Sequence, residues 1–390
     1  MRLGALHHRL STFGGHRYYE GLGLVDESRR RGWDLDLLVS VYAREPVLRG
    51  LGSDARSVLC DPAVKLMPSD EIEPHEITFV CCIEGTAIEA QALVLCASIR
   101  RFGGVYATSP IVAVNPRPIH PISAHSERRL ADLGCRYVCE PLNETGSPYL
   151  TINRIVTGSW AESHLDTAYI VLLDSDMLFV RAPSFRRADV GVRPVDMKGS
   201  ASTGIGDPLD PYWSSMSEIA GISPDALPYV TASIEGTRLR ASYNGGFCIA
   251  RRSLGIFREV RRVFEESRLH DLRPLRDSGV SVFASTGHVG LDASEWWGSS
   301  QAAMSVAIHA STRDVLVYDE RYNVPLNLIT DSDGELRWPK LDIVLLHYHW
   351  LLGAAYRDEL LNRMRVLGIG DDVIAWLSST ATTPMRSTDA

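Results

Sequence analysis

Tyr169-Ile-Val-Leu-Leu-Asp174-Ser175-Asp176-Met-Leu-Phe179 is the stretch on which the reading turns. Its first five residues are apolar without alternation, as expected of a short strand buried on both faces. Two aspartates follow, spaced by one residue, so an extended backbone points both carboxylates to the same side. Ligands of open α/β sheets bind outside the carboxyl ends of the strands. Hard oxygen ligands there suit Mg²⁺ or Mn²⁺, ions that also bridge phosphate oxygens. The spacing alone decides nothing, because Asp34-Leu35-Asp36 and Asp331-Ser332-Asp333 share it. The first of these lies inside a strand pattern and the second in a turn with Gly334, so both read as surface features.

Working outward, an α/β rhythm surrounds the aspartates. Ile77 to Ile83 is a second continuous apolar run, followed by a helix that Thr86 can cap and that continues to Arg101. Strands are expected at Ile111 to Val114 and Tyr137 to Cys139. A helix from Ser126 to Leu133, closed by Gly134, lies between them. Ile152 to His164 reads as the helix before the aspartate strand. Beyond it, residues 186 to 241 are richer in Gly, Pro, Ser and Asp and read as loops and short helices over one edge. Regularity returns in the strand Gly246 to Ala250, the helices Leu254 to Arg268 and Ser300 to His309, and the strand Ile343 to Leu346. Strands and helices alternating at these lengths imply a mostly parallel sheet flanked by helices.

Residues 1–74 form a small α/β N-terminal extension, with the acidic, proline-bracketed segment Pro68 to His75 as its linker. Residues 75–350 form the main domain. Residues 351–390 supply C-terminal helices and a Ser/Thr-rich tail, disordered from Ser378. A net charge of −8 gives no electrostatic reason to expect a nucleic-acid partner. No apolar stretch is long enough to span a bilayer, and the first residues lack the apolar core of a signal peptide. Cys81, Cys82, Cys96 and Cys248 lie in apolar runs, which indicates buried thiols, a reducing compartment and a cytoplasmic location. His7-His8 has no partner at metal-ligand spacing.

The aspartate strand resembles the metal-binding DxD strand of GT-A glycosyltransferases, and the landmarks around it come in the order of family 8-like members, from about Ile77 to Trp350. Asn153-Arg154 resembles the position where a basic side chain meets the donor, although an arginine on a solvated helix face would look the same. Tyr243-Asn244-Gly245-Gly246 resembles the segment that approaches the donor sugar, where glycines allow a close backbone and an Asn can bond hydroxyls. Trp296-Trp297-Gly298-Ser299-Ser300-Gln301 resembles an acidic-residue-then-Gln pair at a helix start. Gln301 takes the Gln position, and Ser300 stands where Asp is usual, so either Asp292 or Glu295 substitutes or activity is reduced. The adjacent tryptophans suit stacking on a sugar or plain core packing. Val344-Leu-Leu-His347-Tyr348-His349 resembles the strand whose histidine completes the metal site. His347 is the expected ligand, and His349 is left for a donor phosphate; the basic residue that often follows is missing.

The resemblance implies a GT-A fold and a metal-dependent glycosyltransferase. It implies Mn²⁺ or Mg²⁺ on Asp174, Asp176 and His347, and a nucleotide-sugar donor, UDP-linked, contacted by Arg154, Asp174, Ser175, Asn244, Gly245 and His349. The sugar would pass to an acceptor hydroxyl with retained configuration. An inverting route would instead need a carboxylate base, for which Asp292 and Glu295 are the candidates beside Gln301. Three other readings compete. A degenerate domain that binds carbohydrate or a protein partner would be consistent with Ser300. A sugar-nucleotide pyrophosphorylase is disfavoured by Glu84-Gly85-Thr86, which stands where that class carries a glycine-rich basic signature. The turn Gly14-Gly15-His16 resembles the opening of GT-B enzymes, yet no full Rossmann half follows it within the extension.

Overall fold

The structure is a computed structural model that describes residues 70–330, 335–339 and 341–380. The N-terminal extension with its glycine turn, His7-His8 and Asp34-Leu35-Asp36, and likewise Asp331 to Asp333, lie outside the described residues. Backbone contacts divide the chain into two units, Met1–Ile72 with Phe185–Arg187, and the remainder. Of the first, the described part is a short antiparallel pairing in which the Ile72 N–H donates to the Phe185 carbonyl at 2.7 Å.

The strands of the second unit run in chain order as β1 (Ile77–Cys82), β2 (Ile111–Asn115), β3 (Arg136–Cys139), β4 (Tyr169–Leu173), β5 (Met177–Phe179) and β6 (Val190–Pro194). They continue with the hairpin β7 (Tyr229–Thr231) and β8 (Arg238–Arg240), the long β9 (Tyr243–Arg251), and the short hairpin β10 (Phe283–Ala284) and β11 (Gly287–His288). The last are β12 (Val315–Val317), β13 (Val324–Pro325) and β14 (Leu345–His347). Seven of them form the central sheet in the order β12-β6-β9-β4-β1-β2-β3. Only β9 runs against its neighbours, so the sheet is mostly parallel, as the alternation of elements predicted.

Each residue of β1, β2 and β4 is buried, which is why these strands read as unbroken apolar runs. Helices α1 (Ile88–Phe102), α2 (Ala124–Asp132) and α3 (Ile152–His164) link the parallel strands. Farther along come α4 (Asp210–Ile219), α5 (Ile256–Leu269), the single turn α6 (Leu291–Glu295) and α7 (Ser299–Ser311). One apolar cluster joins β4, β6 and β9 to α3, α5 and α7 through residues such as Ile170, Leu172, Val192, Phe257 and Val306. Gly134 closes α2 with φ +63°, where the Cys135 N–H reaches back to the Leu130 carbonyl and the Gly134 N–H to Ala131.

Three local expectations are corrected. Thr86 does not cap α1, whose N-cap position is Ala87 with no side-chain bond. Within 186 to 241, Val190–Pro194 is not part of a loop over an edge but a fully buried strand between β12 and β9. Its glycine and proline hid it: Gly191 carries no side chain because a Cβ would meet the Tyr318 ring at 2.6 Å. The tail is not irregular from Ser378, because a final helix, α9 (Asp371–Thr380), follows α8 (Arg357–Val366) and packs Leu377 into a second apolar cluster; residues beyond 380 lie outside the description. Among the described residues, no helix is long and apolar enough to cross a membrane.

A second sheet, β13-β14-β5, is small, and it matters for the site. β5 follows β4 after only three residues, so Asp174-Ser175-Asp176 is the joint between the two sheets. In the antiparallel β14·β5 pair, His347 lies opposite Met177. The Tyr348 N–H then donates to the Asp176 carbonyl at 3.0 Å. That register brings His347 to the aspartates across a gap of some 170 residues in sequence.

Candidate metal and donor site

A cavity of about 370 Å³ opens where β1, β4 and β14 end and β9 begins, bordered by Cys82, Asp174, Asp176, Asn244 and His347. Asp174, Asp176 and His347 each offer a ligand atom within 4.8 Å of the others, a grouping found nowhere else among the described residues. The His347 Nε2 lies 3.2 Å from the Asp176 Oδ2. Its other nitrogen, Nδ1, is 3.0 Å from the Asn323 side-chain oxygen, an orientation in which Nδ1 keeps its proton and Nε2 is left to face a cation. Burial alone would lower the pKa of His347, but the adjacent Asp176 carboxylate outweighs it and raises that pKa. Burial likewise opposes the charge on Asp176, yet His347 holds its carboxyl well below the usual range. The donor set of two carboxylates and one imidazole fits Mn²⁺ or Mg²⁺.

Arg154, on α3, answers Asp174. Its Nη1 lies 2.8 and 2.7 Å from the two Asp174 oxygens, and its Nη2 donates to the Ser300 Oγ at 3.1 Å. Ser300 is also 3.0 Å from the Tyr149 hydroxyl. Burial works against the guanidinium charge, and Asp174 more than restores it, raising the pKa. The arginine therefore faces the cavity and not solvent.

The glycine pair has a specific steric role. A Cβ on Gly245 would meet the Arg154 Nη2 at 2.2 Å, and one on Gly246 would meet the Asp174 Oδ2 at 2.9 Å and the His347 Cε1 at 3.1 Å. The glycines thus make room for the charged groups of the site itself. The Asn244 Oδ1 is occupied by the Gly246 N–H at 2.9 Å, and its amide reaches the Asp196 Oδ2 at 3.3 Å. Ser175 turns away from the aspartates' side and donates to the Cys82 carbonyl at 2.6 Å, although it still borders the cavity.

Gln301 borders the cavity at the start of α7. The tryptophans divide the two roles open to them: Trp296 packs against Phe264 in the core, while Trp297 lines the cavity with its edge on Tyr149. His349 lies face to face with His347, ring centroids 3.9 Å apart. Its Nδ1 donates to the His347 carbonyl at 3.2 Å. Burial, together with the charge on His347, pushes its pKa down to about 3. Asp292 and Glu295 are not brought into the cavity. The single turn of α6 directs Ala293 inward and sends both carboxylates to Arg273, at 2.8 and 2.9 Å.

Two carboxylates escaped the sequence reading. Asp196 borders the cavity just after β6, accepting from the Ser233 hydroxyl at 2.9 Å, and burial raises its pKa. Glu84, at the end of β1, holds Arg117 at 2.7 and 2.6 Å and Asn153 at 2.9 Å. Its place directly after an apolar strand was the available signal. For Asp196, nothing in its Gly- and Ser-rich surroundings marked it.

Two carboxylates and an imidazole thus converge at the carboxyl edge of an α/β sheet with a largely buried arginine beside them, a set able to hold a divalent cation. The chain belongs to the Rhodobacterales glycosyltransferase domain family, whose profile matches residues 79–277. That span holds Arg154, Asp174, Asp176, Asn244 and Gly245, and His347 lies beyond it. Among solved structures, core-mannan synthase A from Aspergillus fumigatus in its Mn/GDP form is similar at a TM-score of 0.37 and 12% identity, over 64% of this chain and 74% of that one. Among curated proteins, none matches the chain in sequence.

Proposed function

We propose that the chain is a GT-A-type, family 8-like glycosyltransferase that moves a sugar from a nucleotide-sugar donor, UDP-linked, to an acceptor hydroxyl. The observation that carries this reading is the convergence of Asp174, Asp176 and His347 within 4.8 Å at the mouth of the sheet. These three residues would hold Mn²⁺ or Mg²⁺, which supplies Lewis-acid neutralisation of charge on the departing nucleoside diphosphate. Arg154 adds a fixed positive group beside Asp174, aimed by Ser300 and Asp174 together.

Ser300 replaces an expected acidic side chain, and its hydroxyl is committed to Arg154 and Tyr149. It therefore supports a positioning role in which Arg154 is held without a second carboxylate. Asp196 and Asn244, already bonded to each other, form a polar wall that can accept and donate to sugar hydroxyls. Trp297 offers an apolar face to a sugar ring. The candidates for an inverting base, Asp292 and Glu295, are bound to Arg273 outside the cavity, and Asp196, which borders it, is committed to Ser233 and Asn244, which favours retention. Gln301 stays the candidate polar contact at the reacting centre.

The test is metal-dependent release of nucleoside diphosphate from a panel of UDP- and GDP-sugars. Wild type should release it from one donor with Mn²⁺ and not with chelator. Asp174→Ala should lose at least about 100-fold and melt earlier because Arg154 loses its partner, while its circular-dichroism spectrum at the assay temperature shows it folded. Equal release by the two proteins sinks the catalytic reading and leaves a domain that binds carbohydrate without turning it over.

A further inference from the structure

Gln91 lies in the first turn of α1, close behind the end of β1, and it is 4% exposed. Its amide nitrogen is 3.4 Å from the Ser285 carbonyl and 3.4 Å from the His349 carbonyl. Both partners are acceptors, so the nitrogen must occupy that side and the oxygen the other. That oxygen, Oε1, is buried and bonded to nothing. Of the buried, unpartnered side-chain atoms among the described residues, it is the only one whose residue borders the cavity.

The surroundings specify what is missing. Ser285 and Thr286 form the tip of the β10·β11 hairpin and border the cavity, and the Ser285 side chain hydrogen-bonds Asp176. Gln91 therefore ties the hairpin tip to the histidine segment of the metal site, and its oxygen is an acceptor without a donor beside them. A diphosphate offers acceptors only, so it cannot satisfy this atom. A hydroxyl group can.

Resting on the donor-site reading above, we propose that Gln91 is a ligand-binding residue whose Oε1 accepts a hydrogen bond from an O–H donor of the bound state, at the place where the hairpin closes on the metal site. That O–H belongs either to the ribose of the nucleotide or to a water on the cation. The same amide fastens the hairpin and reads the ligand, so closure and recognition are carried by one side chain.

Calorimetric titration of wild type and Gln91→Met with MnCl₂ alone, and with UDP, 2′-deoxy-UDP and 3′-deoxy-UDP in the presence of Mn²⁺, tests this. Loosening of the hairpin in the variant weakens all three nucleotides alike; only coupling between side chain and hydroxyl reports the proposed bond. A ribose partner predicts that one deoxy nucleotide binds wild type about 2- to 10-fold more weakly than UDP, and that the variant no longer distinguishes the two. A metal-bound water predicts a loss of the same size for Mn²⁺ alone that Gln91→Glu, which keeps an acceptor oxygen but not the amide tie to the hairpin, does not share; equal losses in both variants overturn the assignment. If both deoxy penalties are unchanged in the variant and Mn²⁺ affinity is unaltered, the assignment of Gln91 is overturned. Absence of any Mn²⁺ or nucleotide binding to wild type would be a different failure, that of the donor-site reading itself.

Discussion

The seven-stranded sheet and the three-stranded sheet differ in what holds them and in what they contribute. The larger is made of buried apolar runs such as Tyr169 to Leu173, which pair by register with Ile77 to Cys81 and Phe247 to Arg251. The smaller has strands of two or three residues, which pack Leu178, Val324 and Leu346 into a separate apolar cluster. Yet the smaller sheet delivers His347, and Asn323 just before β13 sets the orientation of that ring. Stability and site assembly are thus separable, and substitutions in the two sheets should have different signatures.

The largest effect is expected in the large sheet. Ile170→Ala, at a fully buried position of β4 remote from the cavity, should cost about 2–5 kcal/mol in unfolding free energy. Mn²⁺ affinity measured well below the melting transition should not change. A variant that melts early and also loses metal would break the separation.

Next is a pH effect on the packing of α7 against β9. The His309 Nε2 and the Tyr243 hydroxyl are hydrogen-bonded at 2.8 Å, and burial, helped by Arg313, pushes the pKa down from 6.5 to about 4. Between those values the unfolded chain binds a proton that the native ring refuses. Stability should therefore fall as pH drops from about 6.5 towards 4, by up to about 3 kcal/mol. Denaturant melts across that range should show the slope, and His309→Gln should flatten it.

The smallest change in stability and the sharpest in binding should come from the small sheet. Asn323 has φ +54°, so Asn323→Gly removes the hydrogen bond to His347 without backbone strain. Metal affinity should fall about 10- to 100-fold with little change in the melting temperature. An unchanged affinity would show that the ring is oriented by its packing on His349 alone.

The same contrast explains what could be read in advance. Helix Ile152–His164 and strand Tyr169–Leu173 have the bounds expected from the sequence, because unbroken periodicity over such lengths leaves little choice. The strand Val190–Pro194 was invisible because Gly191 and Pro194 imitate loop composition. Glu84 is legible only as the first residue of a turn, because its partners Arg117 and Asn153 come from distant segments. Asp292 and Glu295 looked available because nothing local reveals that Arg273, from another segment, binds both. Long-range partners of this kind are set by tertiary packing, which leaves no mark at the residue itself.

The reversal of β9 has a further consequence. Because this one strand runs against the others, its first residues, Asn244 to Gly246, arrive at the edge where the parallel strands finish, and the chain between β6 and β9 both leaves and returns at the rim of the cavity. That excursion anchors Trp213 and Met216 of α4 and Leu239 of the β7·β8 hairpin in the main apolar cluster, while its exposed connections can change in length without disturbing a helical crossover. The fold thereby sets aside one stretch of chain in which the rim of the cavity can be reshaped during descent while the charged centre beneath it is inherited intact.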